Sequence, residues 1–252
     1  MKTTIIIPTY NEAENIEPIM QEIFKYLPDA NILIIDDDST DDTGKIATLL
    51  SQANHKIRFI SRKGKARSFA QSYIEGFKEA LKNNTDYIIQ MDADFSHDPK
   101  YLPEMLEKLK NHDVVIGSRY IRGGKVENWP FWRRFLSHAS NIYARLVVIL
   151  PLADPTAGFI GWKRESLEKI NLDKISSSGY AFLIEMKFYA HKSGLKMKEV
   201  PIIFADRKFG ASKMNKKLIL EAALFCWKLR FKKIKNQPLK CHDCTPKNAV
   251  TK

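Results

Sequence analysis

Four short apolar runs, each followed by a polar turn and a helical segment, constrain the fold of this chain most. The runs are rich in isoleucine and occupy residues 3–7, 31–35, 56–61 and 87–91. In the first helical segment, 15–27, apolar residues recur on one helical face. Alternating units of this length predict an α/β protein with a mostly parallel central sheet and right-handed crossovers.

The second half of the chain continues this pattern less regularly. A helix over 102–109 and strands over 113–117 and 195–203 are predicted. The polar and aromatic stretch 119–132 reads as a long connection, and such connections in a compact domain are usually functional loops. With 44% apolar and 28% charged residues, the chain has the composition of a globular protein, which excludes disorder of the whole.

Two carboxylates follow the run 87–91, at Asp92 and Asp94. Ligands of parallel sheets gather at the carboxyl ends of the strands, where these two side chains are expected to lie. Paired oxygen ligands can hold Mg²⁺ or Mn²⁺ while water and substrate phosphates complete the coordination. An acidic turn that caps the following helix has the same residue types, so this segment alone leaves both interpretations open.

The positive charge of the chain is concentrated at one end. The net charge is +12, and residues 207–252 contain 13 basic and 2 acidic residues, which gives +11 of it. Such a segment attracts nucleic acid, anionic lipid or an anionic substrate. Aromatic residues do not interleave with the lysines beyond Lys235, as they do on a base-stacking surface, so no nucleic-acid partner is expected.

Membrane spans and cysteine sites have little support in the sequence. The longest apolar runs, 146–153 and 222–227, are far shorter than the about 18–20 residues of a membrane-spanning helix. No secretory signal precedes the first strand, which predicts a cytoplasmic protein. Cys241 and Cys244 form one Cys-x-x-Cys around His242, which is weak evidence for a metal or redox role because a structural zinc site needs a second pair.

Several motifs together resemble a known family. Residues 6–12 (Ile-Ile-Pro-Thr-Tyr-Asn-Glu), 35–39 (Ile-Asp-Asp-Asp-Ser), 91–99 (Met-Asp-Ala-Asp-Phe-Ser-His-Asp-Pro) and 117–120 (Gly-Ser-Arg-Tyr) have the order and spacing of family-two glycosyltransferases with the GT-A fold. The segments 123–130, 178–182 and 199–202, followed by Arg207, Gly210, Ser212 and Lys213, are similar to polyprenol-phosphate (dolichol-phosphate) mannose synthases. The resemblance covers about residues 3–215.

The resemblance implies three groups of site residues. The nucleotide sugar would contact Pro8, Tyr10, Glu12, Ile35, Asp37, Asp92, Ala93, Asp94, Arg207 and Lys213. The metal ion, Mg²⁺ or Mn²⁺, would be held by Asp92, Asp94 and Ser96. The lipid phosphate would contact Arg119, Arg133 and Ser137, and the catalytic residues would be Asp94, Arg119 and Arg133. Taken singly, each of these residues is also typical of a solvated turn or an exposed surface.

The activity that the resemblance implies is inverting transfer of mannose from GDP-mannose to dolichyl or polyprenyl phosphate. A lipid monophosphate is already anionic, so positioning and charge neutralisation should dominate catalysis. Two departures from the family pattern bear on which donor and acceptor the protein uses. Ser68 and Phe69 stand where relatives often have a glycine-containing turn, and Ile160 stands where many have arginine.

Three parts of the chain are predicted. Residues 1–215 form the GT-A catalytic domain, 216–235 a basic amphipathic helix on the membrane surface, and 236–252 a disordered tail. The protein is therefore expected to lie peripherally on the cytosolic face of an anionic membrane, with a membrane-anchoring subunit as a further expected partner. Packing of the helix on the sheet, with only its basic end in solvent, remains an alternative.

Three other functions fit the same sequence. A UDP-sugar transferase that passes glucose to polyprenyl phosphate, or one that acts on a glycan, keeps the metal site and changes donor or acceptor. A non-catalytic basic scaffold that binds membranes or nucleic acid explains the charged end. It leaves the carboxylates after two strands unexplained.

Overall fold

The computed structural model describes residues 1–177, 179–205 and 216–232, with side chains from residue 220 onward in the last range. Arg207, Lys213, Cys241, Cys244 and the predicted tail 236–252 lie outside the described residues. The division of the chain at residues 215 and 235 stays a prediction.

A seven-stranded sheet forms the centre of the protein. Its strands are β1 (Thr3–Thr9), β2 (Asn31–Asp36), β3 (Ile57–Ser61), β4 (Tyr87–Gln90), β5 (Val114–Ser118), β7 (Ile160–Lys163) and β8 (Met197–Pro201). Their order across the sheet is β3-β2-β1-β4-β7-β5-β8. Two short strands, β6 (Lys125–Val126) and β9 (Ile203–Phe204), pair in parallel as a separate ribbon.

Eight helices surround the sheet in the described part of the chain. They are α1 (Ala13–Tyr26), α2 (Thr43–Ala53), α3 (Phe69–Lys82), α4 (Leu102–Leu109), α5 (Phe131–Val148), α6 (Arg164–Glu168), α7 (Ala181–Lys192) and α8 (Lys216–Arg230), with 3₁₀ turns at Pro99–Tyr101 and Leu172–Lys174. The four predicted strand-and-helix units are thus confirmed, and so is the mostly parallel sheet.

Strand β1 shows why the first apolar runs become inner strands. Ile5, Ile6 and Ile7 are fully buried, and β1 pairs in parallel with both β2 and β4. Successive side chains point to opposite faces, so Ile6 enters the core on one face while Ile5 and Ile7 enter the core on the other. Burial on both faces explains a continuous rather than an alternating apolar run.

Helix α3 lies unusually close to this strand because it carries Gly76. A Cβ atom at that position would come within 2.5 Å of Ile6 Cγ2. The close approach brings the amino-terminal end of α3 to the carboxyl edge of the sheet, where the candidate site lies.

Five elements were not predicted: β6, β7, α5, α6 and α7. Strand β7 is only four residues long and runs antiparallel between β4 and β5. Helix α7 is buried on nearly all sides, so its sequence lacks the one-sided periodicity that reveals a surface helix. The predicted loop 119–132 contains β6 and leads into the 18-residue helix α5.

Helix α8 packs on α5 and α7 rather than on the sheet. Cys226 and Leu229 are buried in a cluster with side chains of both helices. The opposite face exposes Leu220, Leu224, Trp227 and Phe231. In the described ranges, no helix combines the length and apolar character that crossing a bilayer requires.

Candidate functional site

A cavity of about 280 Å³, with several charged side chains on its wall, lies at the carboxyl ends of β1, β2 and β4. We call it the donor cavity, after the nucleotide-sugar donor that the resemblance predicts here. Its walls include Pro8, Tyr10, Glu12, Asp37, Arg67, Ser68, Phe69, Asp92, Ala93, Asp94 and Tyr180. Seven of the residues that the resemblance assigned to a nucleotide-sugar site are therefore brought together here: Pro8, Tyr10, Glu12, Asp37, Asp92, Ala93 and Asp94. Ile35 is fully buried in the core and is not part of this wall.

Asp92 is held from two directions. The hydroxyl of Tyr73 donates a hydrogen bond to its Oδ1 at 3.0 Å, and the Asp92 backbone N–H donates to His97 Nδ1 at 3.0 Å. Burial, reinforced by the negative charge of Asp92, raises the pKa of Tyr73 well above its ordinary value. Tyr73 therefore stays a donor, and it fixes the carboxylate where β4 ends.

Asp94 is almost completely buried at the same turn. Its Oδ1 accepts hydrogen bonds from the Ser96 backbone N–H at 3.1 Å and from the Ser96 hydroxyl at 2.6 Å. Phe95, between them, has a φ of 62°, which bends the chain sharply after β4. The predicted metal ligand Ser96 thus orients Asp94 through its hydroxyl, and it also lines the larger cavity described below.

The donor set fits a divalent ion that is shared with a substrate. Asp92 and Asp94 offer hard carboxylate oxygens on the wall of one cavity. Within the described ranges, no group of three or more histidine, cysteine or acidic side chains could enclose a metal ion. Mg²⁺ and Mn²⁺ suit such open sites, since water and substrate phosphates can supply the other ligands.

Asp37 is anchored at the base of the donor cavity. Its carboxylate forms a buried ion pair with Arg62 and accepts a hydrogen bond from the Ser68 backbone N–H at 2.7 Å. Burial raises the pKa of Asp37 by more than Ser68 and Arg62 lower it. The cavity wall is therefore fixed by a contact that ties β2 to the start of α3.

The departure at Ser68 and Phe69 requires no glycine. Ser68 has an extended backbone with a φ of −161°, and its side chain caps α3 by accepting from Gln71 N at 3.3 Å. Phe69 is the first residue of α3 and packs edge-on against Tyr73, with 5.1 Å between ring centroids. Ser68 and Phe69 therefore occupy this turn without backbone strain, because neither residue has a positive φ.

Two further side chains shape the entrance of the donor cavity. The guanidinium of Arg67 lies 4.1 Å from the ring centroid of Tyr10, a cation–π contact that places a positive charge on the wall. The Glu12 carboxylate accepts a hydrogen bond from Asn15 Nδ2 at 2.7 Å, while its backbone N–H donates to Thr43 Oγ1 at 2.8 Å. Glu12 thus joins the end of β1 to the helices beside the cavity.

A larger, mainly apolar cavity of about 410 Å³ adjoins the donor cavity. We call it the acceptor cavity, after the lipid-phosphate acceptor that the resemblance predicts here. Side chains of α5, α7 and α8 form much of its wall, among them Leu136, Tyr143, Ala144, Leu183, Ile184, Ala222 and Cys226. Its polar side contains Arg119, Arg133 and Ser137, the three residues predicted to contact a lipid phosphate.

These three residues differ in how they are held. The Arg119 guanidinium makes two 2.7 Å contacts with the carboxylate of Asp154, and both side chains are buried. Arg133 stacks over Trp129, with its guanidinium 4.0 Å from the ring centroid. The hydroxyls of Ser137 and Tyr120 share a hydrogen bond at 2.7 Å. Arg119 is thereby braced, whereas Arg133 and Ser137 project from α5.

Asp154 is a residue of the site that the sequence reasoning did not single out. Burial tends to raise the pKa of its carboxyl, but the charge and hydrogen bonds of Arg119 more than offset this and hold it below the ordinary value. The carboxylate of Glu199, on β8, accepts hydrogen bonds from the backbone N–H groups of Ala153 and Asp154 at 2.8 and 2.9 Å. The sequence signal that could have pointed to Asp154 was its position between two prolines, Pro151 and Pro155.

Lys187 is the second residue that the sequence reasoning did not single out. It is completely buried in α7, and its ammonium donates to the carbonyls of Pro155, Ala157 and Leu183 at 3.1, 2.6 and 3.2 Å. Burial lowers the pKa of Lys187 to about 7, although Asp154 acts in the opposite direction. The sequence signal for this buried lysine was its position, with Glu185, inside the mainly apolar run 181–190.

The sheet, the carboxylate turn and the two adjoining cavities have the arrangement of the GT-A fold. Glucosyl-3-phosphoglycerate synthase from Mycobacterium tuberculosis, in a crystal structure with Mn²⁺, UDP and glucosyl-3-phosphoglycerate, has a similar fold. The TM-score is 0.65 at 17% identity, with 91% of this chain and 79% of that chain covered. The predicted fold class is confirmed.

The chain belongs to glycosyl transferase family 2, whose model matches residues 4–171. It is 38% identical to the undecaprenyl-phosphate mannosyltransferase of Micrococcus luteus, over 89% of this chain and 92% of that protein. It is 40% identical to the polyprenol monophosphomannose synthase of Mycolicibacterium smegmatis, over 88% and 84%. A dolichol-phosphate mannosyltransferase of Pyrococcus furiosus is 39% identical, over 88% of this chain and 61% of its own length. The family and the prediction of a glycosyltransferase are thereby confirmed.

Proposed function

We propose that this enzyme transfers mannose from GDP-mannose to a polyprenyl phosphate, of which dolichyl phosphate is one form. The observation that carries the proposal is the meeting, at Asp92, of a cavity with several charged side chains and a mainly apolar cavity; Asp92 lines both. A nucleotide sugar suits the first cavity and the chain of a lipid phosphate suits the second. The names of three relatives that match most of this chain combine mannose with undecaprenyl, polyprenol or dolichol phosphate, which supports the proposed sugar and the proposed acceptor.

The donor half of the reaction would use the donor cavity. Asp37 and Glu12 offer carboxylates to ribose hydroxyls or a base edge, as acidic residues after strands do in other doubly wound folds. Asp92 and Asp94 would hold Mg²⁺ or Mn²⁺, with the Ala93 backbone between them. When bound, the ion supplies positive charge opposite the leaving nucleoside diphosphate. Arg207 and Lys213 remain predicted contacts of the donor.

The acceptor half would use the acceptor cavity. Arg133 and Ser137 project from α5 into it, and arginine suits bidentate contact with phosphate. The lipid phosphate oxygen attacks the anomeric carbon as the bond from that carbon to the nucleoside diphosphate breaks, which inverts the configuration. An anionic phosphate needs little deprotonation, so these residues would act by positioning. Arg119, held by Asp154, would add fixed positive charge.

The membrane surface is the proposed location of the acceptor. Large apolar side chains are exposed along α5 and α8, on the outer side of the helices that wall the acceptor cavity: Phe131, Trp132, Phe135, Leu146, Leu224, Trp227 and Phe231. Basic residues Arg134, Arg145, Lys228 and Arg230 lie on the same two helices. A surface of this kind suits the headgroup region of an anionic bilayer on its cytosolic side. A membrane-anchoring subunit remains a further proposal.

The test is transfer of radiolabelled sugar to lipid. Purified protein is mixed with GDP-mannose or, in parallel, UDP-glucose, and with undecaprenyl or dolichyl phosphate in vesicles, with and without EDTA. We expect mannolipid that EDTA abolishes and that added Mn²⁺ or Mg²⁺ restores. Glucolipid without mannolipid would replace the proposed donor, and sugar release without any labelled lipid would refute the acceptor.

A further inference from the structure

Of the described residues, three line both cavities: Phe69, Asp92 and Tyr180. Asp92 is one of the two proposed metal ligands, whereas the two aromatic rings carry no charge for a phosphate or a metal ion. The transferred sugar leaves a nucleotide in one cavity and joins a phosphate in the other. It must therefore lie where the cavities meet, between these side chains.

Phe69 is held firmly at this junction. It is the first residue of α3, directly after Ser68, whose backbone N–H is bonded to Asp37. Its ring packs edge-on against Tyr73, with an interplanar angle of 83°, and the hydroxyl of Tyr73 is bonded to Asp92. Phe69 is thus connected both to the base of the donor cavity and to the carboxylate turn.

Tyr180 lies next to Phe69 in space, although the two residues are far apart in the sequence. The two ring centroids are 5.9 Å apart, with an interplanar angle of 32°. The segment before Tyr180 is fixed by Glu185, a fully buried side chain of α7. Its Oε2 accepts hydrogen bonds from the backbone N–H groups of Ser176 and Ser177 at 3.0 and 2.9 Å. Hydrogen bonds thus hold Ser68, the residue before Phe69, and two serines shortly before Tyr180.

We propose that Phe69 and Tyr180 flank the transferred sugar and form the apolar wall between the donor and acceptor cavities. The inference rests on the proposed function and adds sugar-contacting residues to it. The faces of aromatic rings can cover the C–H groups of a hexose and limit the access of water to the anomeric carbon. These residues would raise the affinity for the sugar and favour transfer over hydrolysis.

The test separates contact with the sugar from contact with the nucleotide. Binding of GDP and of GDP-mannose in the presence of Mn²⁺ is measured by calorimetry for the wild type and for Phe69→Leu and Tyr180→Leu. The ring-retaining variants Phe69→Tyr and Tyr180→Phe are matched controls, and Tyr26→Ala, at a position that lines neither cavity, is the control for general effects. Circular dichroism establishes that each variant is folded.

We expect both leucine variants to bind GDP as the wild type does and to lose about tenfold in affinity for GDP-mannose, the size of one aromatic contact. The fraction of donor that is hydrolysed rather than transferred should rise in both. The ring-retaining variants should behave as the wild type. An equal loss for GDP and GDP-mannose, or no loss for either ligand in the folded variants, would overturn the inference.

Failure of the proposed function gives a different result. It appears as a wild-type enzyme that makes no mannolipid at all. The binding comparison is then repeated with UDP and UDP-glucose, because the position of the two rings at the junction does not depend on the nucleotide base. A sugar-specific loss in the leucine variants would support the inference, and an unchanged difference between the two ligands would refute it.

Discussion

The substitution Asp154→Asn should destabilise the protein because it leaves a buried guanidinium without its counter-charge. Asp154 is completely buried, the Arg119 side chain is 9% exposed, and two 2.7 Å contacts join them. Asp154 Oδ2 also accepts from the Arg119 backbone N–H at 3.0 Å. Asparagine has nearly the same volume but offers a single oxygen and no charge, and arginine cannot release its proton at neutral pH.

The expected decrease in the free energy of unfolding follows from this geometry. Removing one partner of a buried ion pair costs about 3–5 kcal/mol, because the other charge stays desolvated. The hydroxyl of Thr156, 2.7 Å from Arg119 Nη2, remains as a partner, so we expect the lower end, about 3 kcal/mol. Replacing both residues, as Arg119→Met with Asp154→Leu, should cost less than the sum of the two single changes, since no charge is then left buried.

The measurement is equilibrium unfolding in urea, followed by tryptophan fluorescence and circular dichroism. The control is Lys125→Gln, which removes an exposed ion pair with Glu127 and should change the unfolding free energy by less than about 1 kcal/mol. Because the folded-state pKa of Asp154 lies below its ordinary value, the pair contributes stability above about pH 4 that is lost as the pH falls. An Asp154→Asn protein as stable as the control variant, or additive single and double changes, would refute the reasoning.

Three further predictions concern the metal site, the buried lysine and the exposed helix face. Asp94→Asn should lower metal-dependent transfer on the order of 100-fold with an unchanged circular dichroism spectrum, because one ligand charge is lost; wild-type turnover would remove Asp94 from the mechanism. Lys187 has its pKa lowered by burial from 10.5 to about 7, so the unfolded state binds more protons over this interval. The stability of the wild type relative to Lys187→Met should therefore rise with pH, by about 1.4 kcal/mol per unit, and parallel pH curves for the two proteins would contradict this. Trp227→Ser combined with Phe231→Ser should weaken sedimentation with anionic vesicles, whereas Leu49→Ser, at an exposed leucine of α2, should not; equal binding by the wild type and both variants would exclude α8 as the docking surface.

Much of the fold could be predicted because its signals are local. Each of the first four strands is a short apolar run, and the helices that follow have regular apolar faces. Chain order and right-handed crossovers then place the ends of β1, β2 and β4 at one edge of the sheet. The family resemblance assigned Tyr10, Asp37, Asp92 and Asp94 to one site, and all four line the donor cavity.

The elements that were missed lack such local signals. In α7 almost every residue is buried, so no polar face marks it as a helix. Strand β7 is short, and its position between β4 and β5 depends on pairing with residues far away in the chain. The prediction that α8 lies on the membrane surface did not reveal its packing. One face of α8 packs on α5 and α7, while the other face stays exposed.

The sequence by itself determined the alternating α/β architecture, the carboxylate turn and the family of this protein, because these follow from short stretches of neighbouring residues. Only the tertiary structure decided that Arg119 is braced by Asp154, that Lys187 is buried among carbonyl groups, and that Phe69 and Tyr180 meet beside Asp92. Each of these contacts joins distant parts of the chain. Their energies depend on burial and distance, which no local pattern of residues specifies.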